Sequence, residues 1–423
     1  PIFIIAYFIY FTSTVIHIDD KVNCFLSLFL DIINSVFPLT IRKLRDKPHS
    51  NKWFTDDLRK LKDKCLFYYD LYKSNGSGEI KSEYSKLKKM YCNSLTLAKT
   101  KYFSDLINNS QNKSKSSCNV ISSIVNHNSK SKKHEPNLDA STCNNYFINK
   151  VNDIVNAVPA AKNFSCYFNK LTKPQCTFTF KDFSVEDVYL SILELSNSTC
   201  LDVYGINARI LKLSAYFISE PLTHIFNCCL KANVFPKLFK FSKVLPIFKK
   251  GDKDNYENYR PISIIPIISK VFEVLLNKQI INYFEGASIF CDAQYGFRKK
   301  RGTIDAVVSF VKRCFTELEK GKFVYSTFYD FSRAFDTVSC GILLQKLRFY
   351  GFNDNSIRLM DSYLNDRFQY VYINDQNKSD FKPVIMVFLR GRFWDLYCSL
   401  YTLMISLIIL KMTVLYHSCL PTT

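Results

Sequence analysis

The chain has 15 cysteines but no Cys-x-x-Cys pair anywhere along its 423 residues. Zinc knuckles and ribbons are built on such pairs, and small secreted folds on a dense, even set, so both are excluded as the organising element. The odd count fits reduced intracellular thiols. Acidic side chains are also scarce: 37 Asp and Glu stand against 57 Lys and Arg, for a formal net charge of +20. That balance favours a polyanionic partner, with nucleic acid the usual case and an anionic membrane surface the other. Apolar runs long enough for a comfortable membrane span are missing too. Residues 1–18 are apolar and aromatic but carry no basic leader or small-residue cleavage site, which argues against a signal peptide. Residues 396–410 are apolar but short of a comfortable membrane span, so no membrane partner is expected. No internal repeat is visible. The chain opens on Pro1 rather than Met, and a piece of a longer protein is expected.

With 47% hydrophobic residues the chain can fill a core, and its length suits two or three domains. Residues 1–50 have no clear assignment. Leu58, Leu61, Cys65, Tyr68 and Tyr72 recur at helical spacing, as do Ile80, Tyr84, Leu87, Tyr91, Ala98 and Tyr102. The Ser-Asn-Gly-Ser-Gly turn between them predicts a helical hairpin over 51–107. Residues 41–135 hold 21 basic and 9 acidic side chains, which reads either as a solvated helix face or as an arm that tracks RNA or DNA. Residues 108–136, rich in Ser, Asn and Lys, read as a flexible linker. A helical region over 137–236 follows, with Ser184-Val-Glu-Asp187 as a capping box and helices near 207–218 and 220–231. From Val244 the pattern becomes mixed: a short strand, helices over 267–284 and 303–320, and a β-type run over 323–329.

That last run leads into Phe328-Tyr-Asp-Phe-Ser-Arg-Ala-Phe-Asp-Thr-Val338. A carboxylate at a strand end, Asp330, suits a hard divalent cation that shares oxygen ligands with phosphates. An Asp-rich structural turn would look the same in isolation. Its flanks are VLPIFKKGDKDNYENYRPISIIPIISKVFEVLLNKQI (244–280), AQYGFRKKRGTIDAV (293–307) and GILLQKLRFYGFNDNSIRLMDSYLNDRFQYVYIN (341–374). These blocks, collinear over roughly 185–380, resemble the reverse transcriptase of jockey-like non-LTR retrotransposons. Residues 51–146 resemble, more weakly, the segment joining endonuclease to polymerase in such elements.

The resemblance implies an α+β fold, with the fingers and partial palm of a right-hand polymerase over 237–380 behind a mainly helical N-terminal region. It implies two Mg²⁺ ions (Mn²⁺ possible), an RNA template, a DNA primer, deoxynucleoside triphosphates and a nuclear location. Asp330 would be the catalytic metal ligand, aided by the Phe331 carbonyl, and Phe335 would match the gate against a ribose 2′-hydroxyl. Asp336 would hold the turn. Lys249 and Arg260 would grip the incoming triphosphate, since Arg offers a planar fork and Lys a point charge; Lys250 and Lys253 compete for the lysine's role. Pro261 disfavours helix at Arg260, which is therefore expected on extended backbone. Gly296, Arg298 and Arg301 would meet the template, largely through its backbone, with Gly296 and Gly302 allowing close approach.

Two family blocks are absent: Gly-Val-Pro-Gln-Gly-Ser-x-Leu-Gly-Pro, and an aromatic-Ala-Asp-Asp turn carrying the other catalytic carboxylates. The codons suggest why. Pairing the third base of one codon with the first two of the next, Met386-Val387 forces Gly, Phe393-Trp394 forces Leu and Trp394-Asp395 forces Gly. Residues 387–396 accommodate the whole first block in that frame. Met404-Ile405 and Met412-Thr413 each force Asp, and Lys411 permits another before the second. Thr413-Val-Leu-Tyr416, by contrast, resembles the family in the written frame. A frame shift between roughly 381 and 386 is expected, with a deletion or a misplaced exon boundary beyond it. Residues 381–423 then read as a shifted tail, and the chain as a copy without polymerase activity. A nucleic-acid-binding remnant is the other reading.

Overall fold

The computed structural model describes residues 17–38, 52–128, 138–157, 173–290, 292–296, 298, 300–328 and 339–384. The chain divides into two compact units, one of Pro1–Pro38 with Pro136–Thr423 and the other of Leu39–Glu135. Helix α1 (Ile18–Val36) belongs to the first and buries Val22, Phe25, Leu26 and Phe29 in its core.

The second unit is built on a helical hairpin. Helix α2 (Asp56–Asn75) is capped by Thr55, whose Oγ1 accepts the Leu58 N–H, and ends at Gly76, where φ of 63° favours glycine. Helix α3 (Gly78–Asn108) returns beside it. Tyr72 meets Lys81, Tyr69 meets Tyr84 and Trp53 meets Lys99, so the two run antiparallel. The core between them is thin: α2 buries Leu58 and Cys65, and α3 buries nothing. The segment read as a flexible linker holds helix α4 (Lys113–Asn128), with Asn112 accepting the Lys115 N–H at 2.9 Å. Its polar composition hides the helical spacing of Val120, Ile121, Ile124 and Val125.

In the first unit, α5 (Ala140–Ala157) is followed by α6 (Val185–Glu194). Ser184 and Asp187 close the reciprocal capping box on α6: Ser184 Oγ accepts the Asp187 N–H and Asp187 accepts the Ser184 N–H. The two helices expected near 207–218 and 220–231 are one, α7 (Ala208–Ala232), which runs through Pro221. Proline removes a backbone donor and normally breaks a helix. Here Leu211, Ala215, Ile218, Leu222, Ile225 and Cys229 bury one continuous stripe across it. The apolar burial outweighs the lost hydrogen bond. Asn233 ends the helix in the left-handed region, at φ 58°.

Strands β1 (Phe241–Phe248) and β2 (Tyr259–Ile264) pair antiparallel, and helix α8 (Ile267–Gly286) follows. After α9 (Thr303–Glu319), α10 (Cys340–Phe349) and α11 (Asp354–Leu364), strand β3 (Arg367–Asn374) pairs parallel with β1. Short strands β4 (Asn377–Lys378) and β5 (Lys382–Val384) each pair antiparallel with β3. One sheet face packs on α5 through Cys143, Phe147, Val151, Val244, Tyr259 and Val371. Buried Asn144 fixes that contact, accepting from Gln369 Nε2 and donating to Ser379 Oγ. The main core lies among α1, α6, α7, α8 and α11. Phe272 stacks on Phe226 at 4.7 Å and on Phe235 at 5.3 Å, with Tyr363 edge-on to Phe235. The architecture is mixed α+β around a small mixed sheet. Among the described residues no helix is long and apolar enough to cross a membrane.

Helix α9 differs from the rest. Ile304, Val307, Val308, Val311, Phe315 and Leu318 lie at three- and four-residue spacing, an apolar stripe, and all are exposed, Ile304 to 79% and Phe315 to 61%. The β-type run expected over 323–329 forms no strand through residue 328; Phe323, Tyr325 and Phe328 are exposed. A lone strand is not stable without a neighbour to take its hydrogen bonds, and no described segment pairs with this one.

Candidate functional site

Alternation along β1 and β2 sorts the sheet's charges onto one face. Successive side chains of a strand point to opposite sides. Phe248 and Tyr259 are paired and share the face toward α5. Ile247 pairs with Arg260, and the Lys249 N–H donates to Asn258 O at 2.8 Å, continuing the ladder. Lys249 and Arg260 therefore project from the opposite face, both exposed, and neither forms an ion pair among the described residues. Arg260 is on extended backbone, as Pro261 requires.

The loop between the strands is built rather than slack. Gly251 has φ of 95°, and a side chain there would strike the Asn258 amide at 2.7 Å. Asn258 Nδ2 donates to Asp252 O, and the Tyr259 hydroxyl to Lys253 O, each at 2.8 Å. These bonds hold Lys250 and Lys253 at the tip, away from the paired segment that carries Lys249 and Arg260. The same parity adds a residue that the sequence reading missed. Lys243 is two positions before Leu245 on the Lys249 side of β1, and its Nζ sits 3.9 Å from the centre of the Tyr372 ring. Counting parity back from Lys249 would have found it.

Asp202 was missed as well. It is buried, with Oδ1 accepting the N–H groups of Tyr204 and Ile206 at 2.9 Å and Oδ2 that of Ile267 at 2.8 Å. Burial pushes its pKa up against those three bonds. It satisfies the first N–H of α8 and ties that helix to the 202–206 loop. Further along α8, Glu273 is buried, and burial raises its carboxyl to about 7 against the pull of Arg367 and Lys270. Its Oε1 lies 3.6 Å from Arg367 Nη2 at the start of β3, and neither atom has a hydrogen-bond partner.

The residues expected at the template are engaged locally. Arg298 forms a two-pronged ion pair with Glu285, at 3.1 and 2.8 Å, and stacks over Phe290. Arg301 bonds the Asp292 carbonyl and lies over the Tyr295 ring. Open space surrounds Gly296, so no close approach within the chain requires a glycine there. Gly302 takes a structural part, its N–H donating to Asp305 at 2.7 Å as α9 begins. Asp330, Phe331, Phe335 and Asp336 lie outside the described residues. Among those described, no group of three His, Cys, Asp or Glu side chains could hold a metal ion.

Residues 247–386 match the family described as reverse transcriptase (RNA-dependent DNA polymerase). Over 206 residues the chain is 29% identical to the probable RNA-directed DNA polymerase from transposon BS of Drosophila melanogaster, covering 46% of this chain and 22% of that one. It is 33% identical over 118 residues to the probable RNA-directed DNA polymerase from transposon X-element of the same fly, covering 28% and 13%. Against the RNA-directed DNA polymerase from mobile element jockey of Drosophila melanogaster it is 29% identical over 164 residues, covering 38% and 18%. The chain spans less than a quarter of the length of these curated relatives. Residues 247–386 thus match the reverse transcriptase family, and the chain is similar there and in its flanks to the RNA-directed DNA polymerases of Drosophila retrotransposons, jockey among them.

Proposed function

We propose that residues 237–380 are the fingers and part of the palm of an RNA-directed DNA polymerase, and that this copy does not polymerise. The observation that carries the first half is the shared face of Lys249 and Arg260, inside the family match. Two exposed cations on a rigid antiparallel pair suit a triphosphate, the guanidinium by paired hydrogen bonds and the ammonium by charge. Lys243 extends that face toward β3. In the intact family the chemistry would be nucleotidyl transfer onto a DNA primer along an RNA template, assisted by Mg²⁺ or Mn²⁺, in the nucleus.

The second half rests on what the written chain can supply. Two ions need several converging carboxylates, and Asp330 is the one that the sequence provides, with the Phe331 carbonyl beside it. The residues present do not make up a two-ion site. Phe335 and Asp336 would complete the pocket wall and turn without supplying the missing ligands. The family match stops at residue 386, where the codon reading puts the break. The exposed stripe of α9, and the run over 323–328 that pairs with nothing among the described residues, support a palm that lacks the elements meant to cover them.

Two assays test the halves separately. A fluorescent dATP analogue should bind the full chain, and Lys249→Ala with Arg260→Ala should weaken it at least about tenfold, as expected for charge-assisted bonds; equal binding by the variant would contradict the assignment. Primer extension on an RNA template should give no product with Mg²⁺ or Mn²⁺. Template-dependent incorporation that vanishes in Asp330→Asn would sink the inactive reading. A second reading, a nucleic-acid-binding remnant, draws on the basic surplus of the helical hairpin unit.

A further inference from the structure

We infer that the α2–α3 hairpin carries a binding strip for single-stranded nucleic acid, in which each lysine on one line of α3 sits over an aromatic ring of the hairpin or of the residues just before it. This deepens the binding reading above by naming the surface and the mode. Lys81, Lys88 and Lys99 are spaced by seven and eleven residues, which at about 100° per residue returns each to within about 20° of the same line. Each is set over a ring: Lys81 Nζ lies 5.8 Å from the centre of Tyr72, Lys88 5.6 Å from Tyr84, and Lys99 4.5 Å from Trp53. Tyr69, itself exposed, lies 5.4 Å from Tyr84 and widens the aromatic surface. The other α3 lysines, Lys86, Lys89 and Lys101, turn away from that line.

A structural role for the rings alone would need them packed inside. α3 has no buried residue, and Trp53, Tyr72 and Tyr84 are half-buried at the surface. Unpaired bases stack on such rings whatever their identity, while the neighbouring ammonium groups meet the phosphates. An acidic peptide would use the charge and leave the flat faces idle. The strip runs about 27 Å from Lys81 to Lys99 at the helical rise, room for several nucleotides.

The test uses the full chain with Trp394→Phe, which leaves Trp53 as the single tryptophan. Fluorescein-labelled RNA and DNA strands of one mixed sequence, and their duplex, are the probes for anisotropy. Expected are saturable binding of the single strands, quenching of Trp53 fluorescence, and at least about tenfold weaker binding in the Lys81→Gln, Lys88→Gln, Lys99→Gln triple variant. The control triple Lys86→Gln, Lys89→Gln, Lys101→Gln removes the same charge and should weaken binding less. Equal weakening by the two triples, tighter binding of duplex, or binding without quenching would overturn the strip while leaving general binding intact. No binding of any probe would overturn the binding reading with it. If circular dichroism shows the first triple unfolded, quenching of Trp53 in the parent decides the matter.

Discussion

The helices around Phe272 and the helix α9 have similar apolar content and opposite fates. In the first region Phe226, Phe235 and Phe272 stack face to face and are fully buried. In the second, Val307, Val311 and Phe315 keep the same helical rhythm and stay 40% to 61% exposed. A protein does not ordinarily evolve a stripe of that size without something to cover it. The difference lies in the partners: α8 packs against elements encoded before residue 365, whereas the run that follows α9 pairs with no strand among the described residues. Local pattern makes an element; only a neighbour makes it core.

Substitution can break this contrast. Phe272→Ala should cost about 3–5 kcal/mol, the range for emptying a packed aromatic site, read as a lower denaturant midpoint. Glu273 should give the next effect, through pH. Its carboxyl is raised to about 7 by burial, so the folded chain holds the proton where the unfolded chain, with an ordinary value near 4.5, has released it. Its contribution is fully present below about pH 4.5 and is lost as pH rises through about 7, at most about 3 kcal/mol in all. Unfolding midpoints of Glu273→Gln should show a flatter profile over that window; an unchanged profile would mean that other groups set it.

Gly351 has φ of 90°, and an added side chain would meet the Cys176 carbonyl and the Tyr283 hydroxyl. Gly351→Ala should therefore destabilise by about 1–3 kcal/mol, measured by thermal unfolding. The smallest change should come from Phe315→Ser on α9, within about 0.5 kcal/mol of the parent, together with weaker binding of a hydrophobic dye. A loss comparable to Phe272→Ala would show that the α9 stripe is buried in solution.

The elements whose own residues settle their form were legible in the sequence. The capping box at Ser184, the turn at Gly76 and extended backbone at Arg260 each follow from local chemistry. Where tertiary contacts decide, the reading failed: Pro221 stays helical because the buried face of α7 continues past it, and the linker helix α4 hides in polar composition. The run before Asp330 was read as a strand from its residue types, but pairing depends on a partner that the local sequence does not contain. At the candidate site, Lys249 and Arg260 came from motif, while Lys243 and Asp202 needed the sheet parity and the burial that the fold reveals. Arg298 shows the opposite limit: its charge was visible, its partner Glu285 was not.

The most direct test of the account is sequencing of the transcript and its locus across the codons for residues 380–423. The account predicts that one or two inserted or missing bases near residues 381–386 restore the Pro-Gln-Gly block, with the Asp-Asp turn following after any further repair. A locus and transcript that read as written, in every copy with the α9 stripe preserved, would contradict it.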